Sequence, residues 1–153
     1  MLMYILLIGL CLTADQITKV LAVRFLAPIT TVPIIPRVFH LTYIENTGAA
    51  FSIFAGKSVF LILFTSVLIA FLIWLLYRLP KTKAYLSLNT AFCLVIGGAL
   101  GNLVDRIHYG YVVDFFDFRL IGFAIFNVAD CFVVIGCIFI IVKVIQNSLN
   151  APD

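Results

Sequence analysis

The sequence predicts an all-α membrane protein of four transmembrane helices, with a small extracytoplasmic β element between helices 1 and 2. Three observations carry that prediction. Hydrophobic residues make up 64% of the 153-residue chain and charged ones 11%, against roughly 45–50% and 25% in soluble domains. The apolar residues gather into four long runs, each near the ~20 residues that cross a bilayer core. The segment between the first two runs holds Pro28, Pro33 and Pro36 and an alternating stretch, so it is no span. The length suits a single integral membrane domain over residues 1–153. A formal charge of +3 without a basic cluster excludes nucleic acid as a partner.

The first span covers about residues 2–26. MLMYILLIGLCLTA opens it without a charged side chain, and DQITK follows. No basic region precedes it and no small-x-small cleavage site follows, so it reads as a retained span. At 1.5 Å per residue, Asp15 lies about 20 Å from its start and Lys19 about 25 Å, near the far face of the membrane. Their i,i+4 spacing lets them neutralise each other.

Residues 27–56 read as a surface β arm. In VFHLTYIEN, Phe39, Leu41 and Tyr43 share one face of a strand, and Asn46 and Gly48 in NTGAAF signal a turn leading to a loop or helix start. The second span covers about 58–77 and ends in RLPKTK, with Arg78, Lys81 and Lys83 and no acid. The third covers about 85–104, where Gly97 and Gly101 form a GxxxG spacing for close helix approach. Residues 107–122 read as a loop carrying Asp114, Asp117 and Arg119. The fourth span covers about 123–145, with Asn127 and Asp130 in its first turns. Cys11, Cys93, Cys131 and Cys137 form no CxxC pair and read as small buried hydrophobes. His40 and His108 are isolated and read as ordinary interface histidines, and no zinc pattern exists.

Span counting gathers the polar residues at one leaflet. Spans one and three end there, and spans two and four begin there. Asp15, Lys19, Glu45, Asn46, Asn102, Asp105, Arg106, Asp114, Asn127 and Asp130 therefore converge, while Arg78, Lys81, Lys83 and Lys143 go to the other side. A count of Lys and Arg does not separate the sides by number. The dense RLPKTK loop nevertheless favours that loop and both termini in the cytoplasm, with the acids outside.

Carboxylates near hydrocarbon are costly and therefore functional suspects. Two brought close cannot both ionise, which makes a combined acid and base able to polarise a carbonyl and activate water without a metal. Asp15 is neutralised by Lys19. Asp105, beside Arg106 and three residues after Asn102, reads as a structural hub. Asp114 and Asp130 have no cation at helical spacing, and Asn127 stands three residues before Asp130. Spacing favours Asp114 with Asp130 and leaves the assignment open, with Asp105 next. Two other classes compete: a Mg²⁺-dependent membrane lipid transferase using Asp114-x-x-Asp117, and a proton-coupled carrier, whose acids would sit nearer the midplane between repeats. There is no GxSxG and no phosphate-binding glycine loop.

As a set, DQITK (15–19), ENTGAAF (45–51), GGALGNLVDR (97–106), GYVVDF (110–115) and FNVAD (126–130) resemble, in order and spacing, the bacterial lipoprotein signal peptidases, or signal peptidase II family. The resemblance implies a four-span aspartyl endopeptidase that cleaves prolipoprotein signal peptides before a diacylglyceryl-modified cysteine. It implies Asp114 and Asp130 as the catalytic pair. The supporting or substrate-binding shell would be Asp15, Lys19, Asn46, Gly48, Asn102, Asp105, Arg106 and Asn127. It further implies no metal or other cofactor, contact with membrane lipid, inhibition by globomycin-type cyclic peptides, and residence in the bacterial cytoplasmic (inner) membrane. The active site would face the extracytoplasmic side, with the β arm cradling substrate.

Overall fold

Each apolar run forms one helix. The computed structural model describes residues 1–49 and 53–149. Helix α1, Leu2–Leu21, runs on as one π-helical turn, Ala22–Leu26, closed by the Ala27 N–H on the Ala22 carbonyl at 3.0 Å. Helix α2 is Ser58–Arg78, α3 is Leu86–Tyr109 and α4 is Val128–Leu149. Among the described residues four segments are long and apolar enough to cross a membrane: Leu2–Leu26, Ser58–Arg78, Lys83–Tyr109 and Val128–Gln146.

Helix α3 is the centre. Of its apolar window 56% is buried, against 22%, 17% and 11% in α1, α2 and α4, and it packs on all three. Outward-facing Leu63, Val67, Ile138 and Ile141 suit a lipid surround, where an apolar side chain has nothing to gain by turning in. Glycines in α3 let its neighbours close. A Cβ on Gly97 would lie 2.6 Å from Cys11 Cβ of α1, and one on Gly101 would fall on the Asp15 carboxylate. The predicted GxxxG spacing is therefore the α1–α3 contact. Gly98 does the same toward α4, where a Cβ would fall on the Ala129 carbonyl.

The β element is a three-stranded antiparallel sheet, ordered β1 (Thr31–Ile35), β2 (Phe39–Asn46), β3 (Val112–Asp117). As the alternation predicts, Leu41 and Tyr43 pack on the cluster of Ala22, Leu26, Val113 and Phe115 at the end of α1. Phe39 meets Phe116 and Phe118 at centroid distances of 6.2 and 4.7 Å.

Four sequence expectations are corrected. Residues 107–122 are not simply a loop, because β3 lies within them. The run VVDFFD is buried almost throughout and carries no alternation to announce a strand. The third helix continues past 104 to Tyr109, where Gly110 ends it at φ 82°. The fourth starts at Val128, not 123, because Phe126 is bridged to Phe116, with N–H···O distances of 2.8 and 3.2 Å. The cysteines divide: Cys11 and Cys93 are buried, Cys131 is half-buried and Cys137 is exposed, a position a thiol tolerates against lipid. His40 is buried opposite Asp117 in the β2–β3 register, and His108 stacks edge-on to Tyr109. Residues Ala50 and Phe51 of the ENTGAAF block, and Asp153, lie outside the described residues.

Candidate active site

Four pieces of chain supply the polar cluster: the ends of α1 and α3, the β2–β3 pair, and the start of α4. The base of the cluster is an ion-paired group with almost no exposure. Lys19 Nζ lies 2.9 Å from Asp15 and 3.1 Å from Asp105, and donates to Asn102 Oδ1 at 2.8 Å. The predicted Asp15–Lys19 pair forms, and Asp15 does more: its Oδ1 accepts the Ala129 N–H at 2.9 Å, capping the start of α4 from α1. Asp105 is a hub, but through partners other than its sequence neighbours. It accepts from Gln16 at 2.9 Å and from the Val113 N–H of β3 at 3.0 Å. Gln16, which also reaches the Gly101 carbonyl at 3.2 Å, was not singled out from the sequence. Its only signal is its place beside Asp15.

Above this base stand Asp114 and Asp130. Asp130 is the third residue of α4 and Asn127 its cap. The Asn127 Oδ1 accepts the Asp130 N–H at 3.0 Å, and the Asp130 Oδ2 accepts the Asn127 N–H at 3.1 Å. That reciprocal pattern is a capping box built from Asn and Asp. It corrects the placing of Asn127 inside the helix: the residue holds Asp130 through its own Oδ1 and backbone N–H, which leaves the side-chain NH₂ for other work. That amide donates to Asp114 Oδ1 at 2.6 Å and to Asn102 Oδ1 at 3.0 Å. Asn102 in turn donates to Asp130 Oδ1 at 2.8 Å. Asn46, at the end of β2, donates to the other Asp114 oxygen at 2.9 Å. Its own carbonyl oxygen accepts the Gly48 N–H at 2.9 Å, and Arg106 donates to the Gly48 carbonyl at 2.8 Å. Every residue of the expected shell thus belongs to one connected network.

Asp114 and Asp130 line the same cavity of about 490 Å³. Its polar lining includes Asn46, Asn102 and Arg106, and its apolar lining includes Phe123, Ile125, Phe126, Val133, Val134 and Ile135. Asp114 is 2% exposed. Burial pushes its carboxyl up to about 7; the charge of Asp130 pushes the same way, while Asn46 and Asn127 oppose. The Arg106 Nε is buried with no hydrogen-bond partner among the described residues.

Asp117 is held elsewhere. It accepts from Thr42 at 2.7 Å and from Arg119 at 2.8 Å. Burial works against its charge, but those bonds outweigh it and hold the carboxyl below its ordinary range. Asp114 and Asp117 are therefore engaged by different partners, and no group of three or more His, Cys, Asp or Glu is poised around a cation among the described residues.

Known proteins match this chain along nearly its whole length. The family model described as signal peptidase (SPase) II matches residues 7–146. A lipoprotein signal peptidase of Caldanaerobacter subterraneus is 44% identical over 90% of this chain and 92% of its own. One of Clostridioides difficile is 42% identical over 94% and 95%. Two solved structures, each described as a bacterial membrane enzyme, superpose with TM-scores of 0.84 and 0.79 at 31% and 33% identity. They cover 99% and 93% of this chain and 92% of each of theirs. With four helices of spanning length and membrane-enzyme neighbours, this is a multi-pass membrane protein, and the chain belongs to the signal peptidase II family, the lipoprotein signal peptidases.

Proposed function

We propose that the chain removes prolipoprotein signal peptides by aspartyl catalysis, cutting before a diacylglyceryl-modified cysteine, with Asp114 and Asp130 as the catalytic pair. The observation that carries this reading is their joint placement in one cavity, tied together through Asn127 and Asn102. Asp114, buried and raised to about 7, carries the proton. Asp130, half-buried and lining the same cavity, takes the part of the base. In the first step Asp130 takes a proton from water while the water oxygen bonds to the scissile carbonyl carbon. Asp114 gives its proton to the carbonyl oxygen. The tetrahedral adduct then breaks its C–N bond as Asp130 returns its proton to the leaving amine, and Asp114 recovers its own from the adduct hydroxyl. Asn102, Asn127 and Asn46 hold the carboxylates in register for both transfers.

The apolar lining of the cavity suits the acyl chains of a lipidated cysteine, and the unpartnered Arg106 Nε suits a substrate carbonyl. The same cavity would admit a globomycin-type cyclic peptide. The active side faces out of the bacterial inner membrane, at the lipid–water boundary, with both termini and the basic loop holding Arg78, Lys81 and Lys83 in the cytoplasm. The chain acts as a single domain.

The test is cleavage of a diacylglyceryl-modified prolipoprotein by the purified protein, with and without EDTA. Activity is expected to survive the chelator. Loss in EDTA with recovery on adding Mg²⁺ would overturn the metal-free pair in favour of a carboxylate–Mg²⁺ centre.

A further inference from the structure

A second cavity, of about 200 Å³, lies between α1 and α3 and shares no lining residue with the first. Its origin is in the helix packing. α1 touches α3 where α3 has Gly97 and Gly101, and α3 has no further glycine before Gly110. Beyond Gly101 the two helices meet through the long side chains of Gln16 and Lys19 on Asp105. Val20 of α1 and Val23 and Arg24 of the π-helical turn that follows it line a groove with Asp105 and Tyr109 of α3. The neighbours Asp105 and Arg106 thus border different cavities.

The chemistry of the groove changes with depth. Along α1, Lys19 stands about 26 Å from the helix start and Arg24 about 33 Å, so the groove runs from the edge of the hydrocarbon into the headgroup layer. The floor is electrostatically closed. Asp105 is saturated by Lys19, Gln16 and the Val113 N–H, so it presents no spare negative charge. The walls, Val20 and Val23, are apolar and 59% and 42% exposed. At the headgroup end stand the exposed Arg24 guanidinium, which has no acidic partner among the described residues, and the half-exposed Tyr109. A cation that rests on the Phe25 ring at 5.4 Å and has no acidic partner among the described residues, together with a phenol and two valines, complements an anion carried on hydrocarbon.

We infer that this groove binds a phospholipid of the leaflet at which α1 and α3 end, with its phosphodiester on Arg24 and Tyr109 and an acyl chain along Val20 and Val23. The bound lipid covers the back of the Lys19–Asp105 pair, the side away from Asn102, and keeps water from it. The site is independent of what the Asp114–Asp130 cavity acts on.

Native mass spectrometry of the detergent-solubilised protein incubated with dioleoyl-phosphatidylglycerol tests this. A retained lipid adduct is expected, reduced about tenfold or more in Arg24→Gln and also in Val20→Trp, which fills the groove. Arg78→Gln, a cation lost at the opposite leaflet, should leave the adduct unchanged. Dioleoylglycerol, which lacks the phosphate, and glycerophosphate, which lacks the chains, should not compete. The proposal is overturned if Arg24→Gln retains lipid like the wild type, if Arg78→Gln loses it equally, or if either partial ligand competes as well as the whole lipid. Arg24 is exposed, so its variant is expected to fold, and the result does not hang on the more invasive Val20→Trp.

Discussion

Both oxygens of Asp114 already accept an amide N–H, one from Asn46 and one from Asn127. This decides how an amide substitution behaves there. The side chain introduced by Asp114→Asn would set its own NH₂ against one of those donors, at a cost of about 1–3 kcal/mol. That variant is therefore expected to melt somewhat lower than wild type yet remain folded. In the proposed mechanism it loses about 10²–10⁴-fold in cleavage rate, as does Asp130→Asn. The double variant should be scarcely slower than either single, because groups acting as one unit are non-additive. A single variant keeping more than about a tenth of wild-type rate would remove that residue from the pair. Asp117→Asn is the internal control: with its carboxylate on Thr42 and Arg119, it should keep substantial activity. The raised Asp114 carboxyl also fixes a pH dependence. Its folded value, about 7, stands above the ~4 of an unfolded chain. The stability gained from that proton is full below ~4 and is lost as pH rises through about 7. The wild-type melting temperature should therefore fall across that interval more steeply than that of Asp114→Asn, and kcat/KM should decline through the same upper edge. Parallel melting curves for the two proteins would refute the assignment.

At the scale of elements, the site depends on how closely α1 and α4 approach α3. Gly101 lets the Asp15 carboxylate lie against the α3 backbone, and from there Asp15 caps α4 through Ala129. Gly101→Ala would push a methyl into that carboxylate, and overpacking of this kind typically costs about 1–3 kcal/mol. Asp15→Asn leaves Lys19 buried with Asp105 as its remaining acid. Breaking a buried pair costs about 3–5 kcal/mol, and the surviving partner puts this case at the low end. Thermal melts in detergent should show both variants destabilised, with lower yields of folded protein. An unchanged melt for Asp15→Asn would remove the Asp15–Lys19 pair as a structural tie. The opposite end of the bundle has its own tie: the fully buried Asn89 of α3 accepts from Lys81 at 3.1 Å and donates to the Pro80 carbonyl at 2.9 Å, closing the α2–α3 turn.

For the whole molecule, the consequence of four long helices in alternating directions is that every acid of the network meets at one end of the bundle, beside a sheet that rests on the end of α1. In the proposed orientation, reporter fusions after Lys83 and at the C-terminus should read cytoplasmic. Fusions within 27–49 and 107–122 should read external. The reverse pattern would put Asp114 and Asp130 on the wrong side for a prolipoprotein substrate. In the proposed reading such a substrate is anchored by its acyl chains, which would hold its scissile amide at the leaflet surface, where α3 ends and α4 begins.

Much of this was legible in the chain itself. Four apolar runs dictate four helices, because in hydrocarbon only intrahelical bonds satisfy the backbone of a single span. Helix rise and the i,i+4 rule then bring Asp15 onto Lys19, and span parity brings Asp105, Asp114 and Asp130 to one face. What periodicity could not give was β3, since VVDFFD is buried almost throughout and its strand identity comes from pairing with β2. Nor could local spacing give the bonds that cross between elements: Asp105 to the Val113 N–H, Asp15 to the Ala129 N–H, Asn46 to Asp114. Those contacts join residues 8 to 114 positions apart. Sequence determined which groups the membrane would force together; only the tertiary structure decided which oxygen meets which N–H, because that depends on where the α3 glycines let α1 and α4 come to rest.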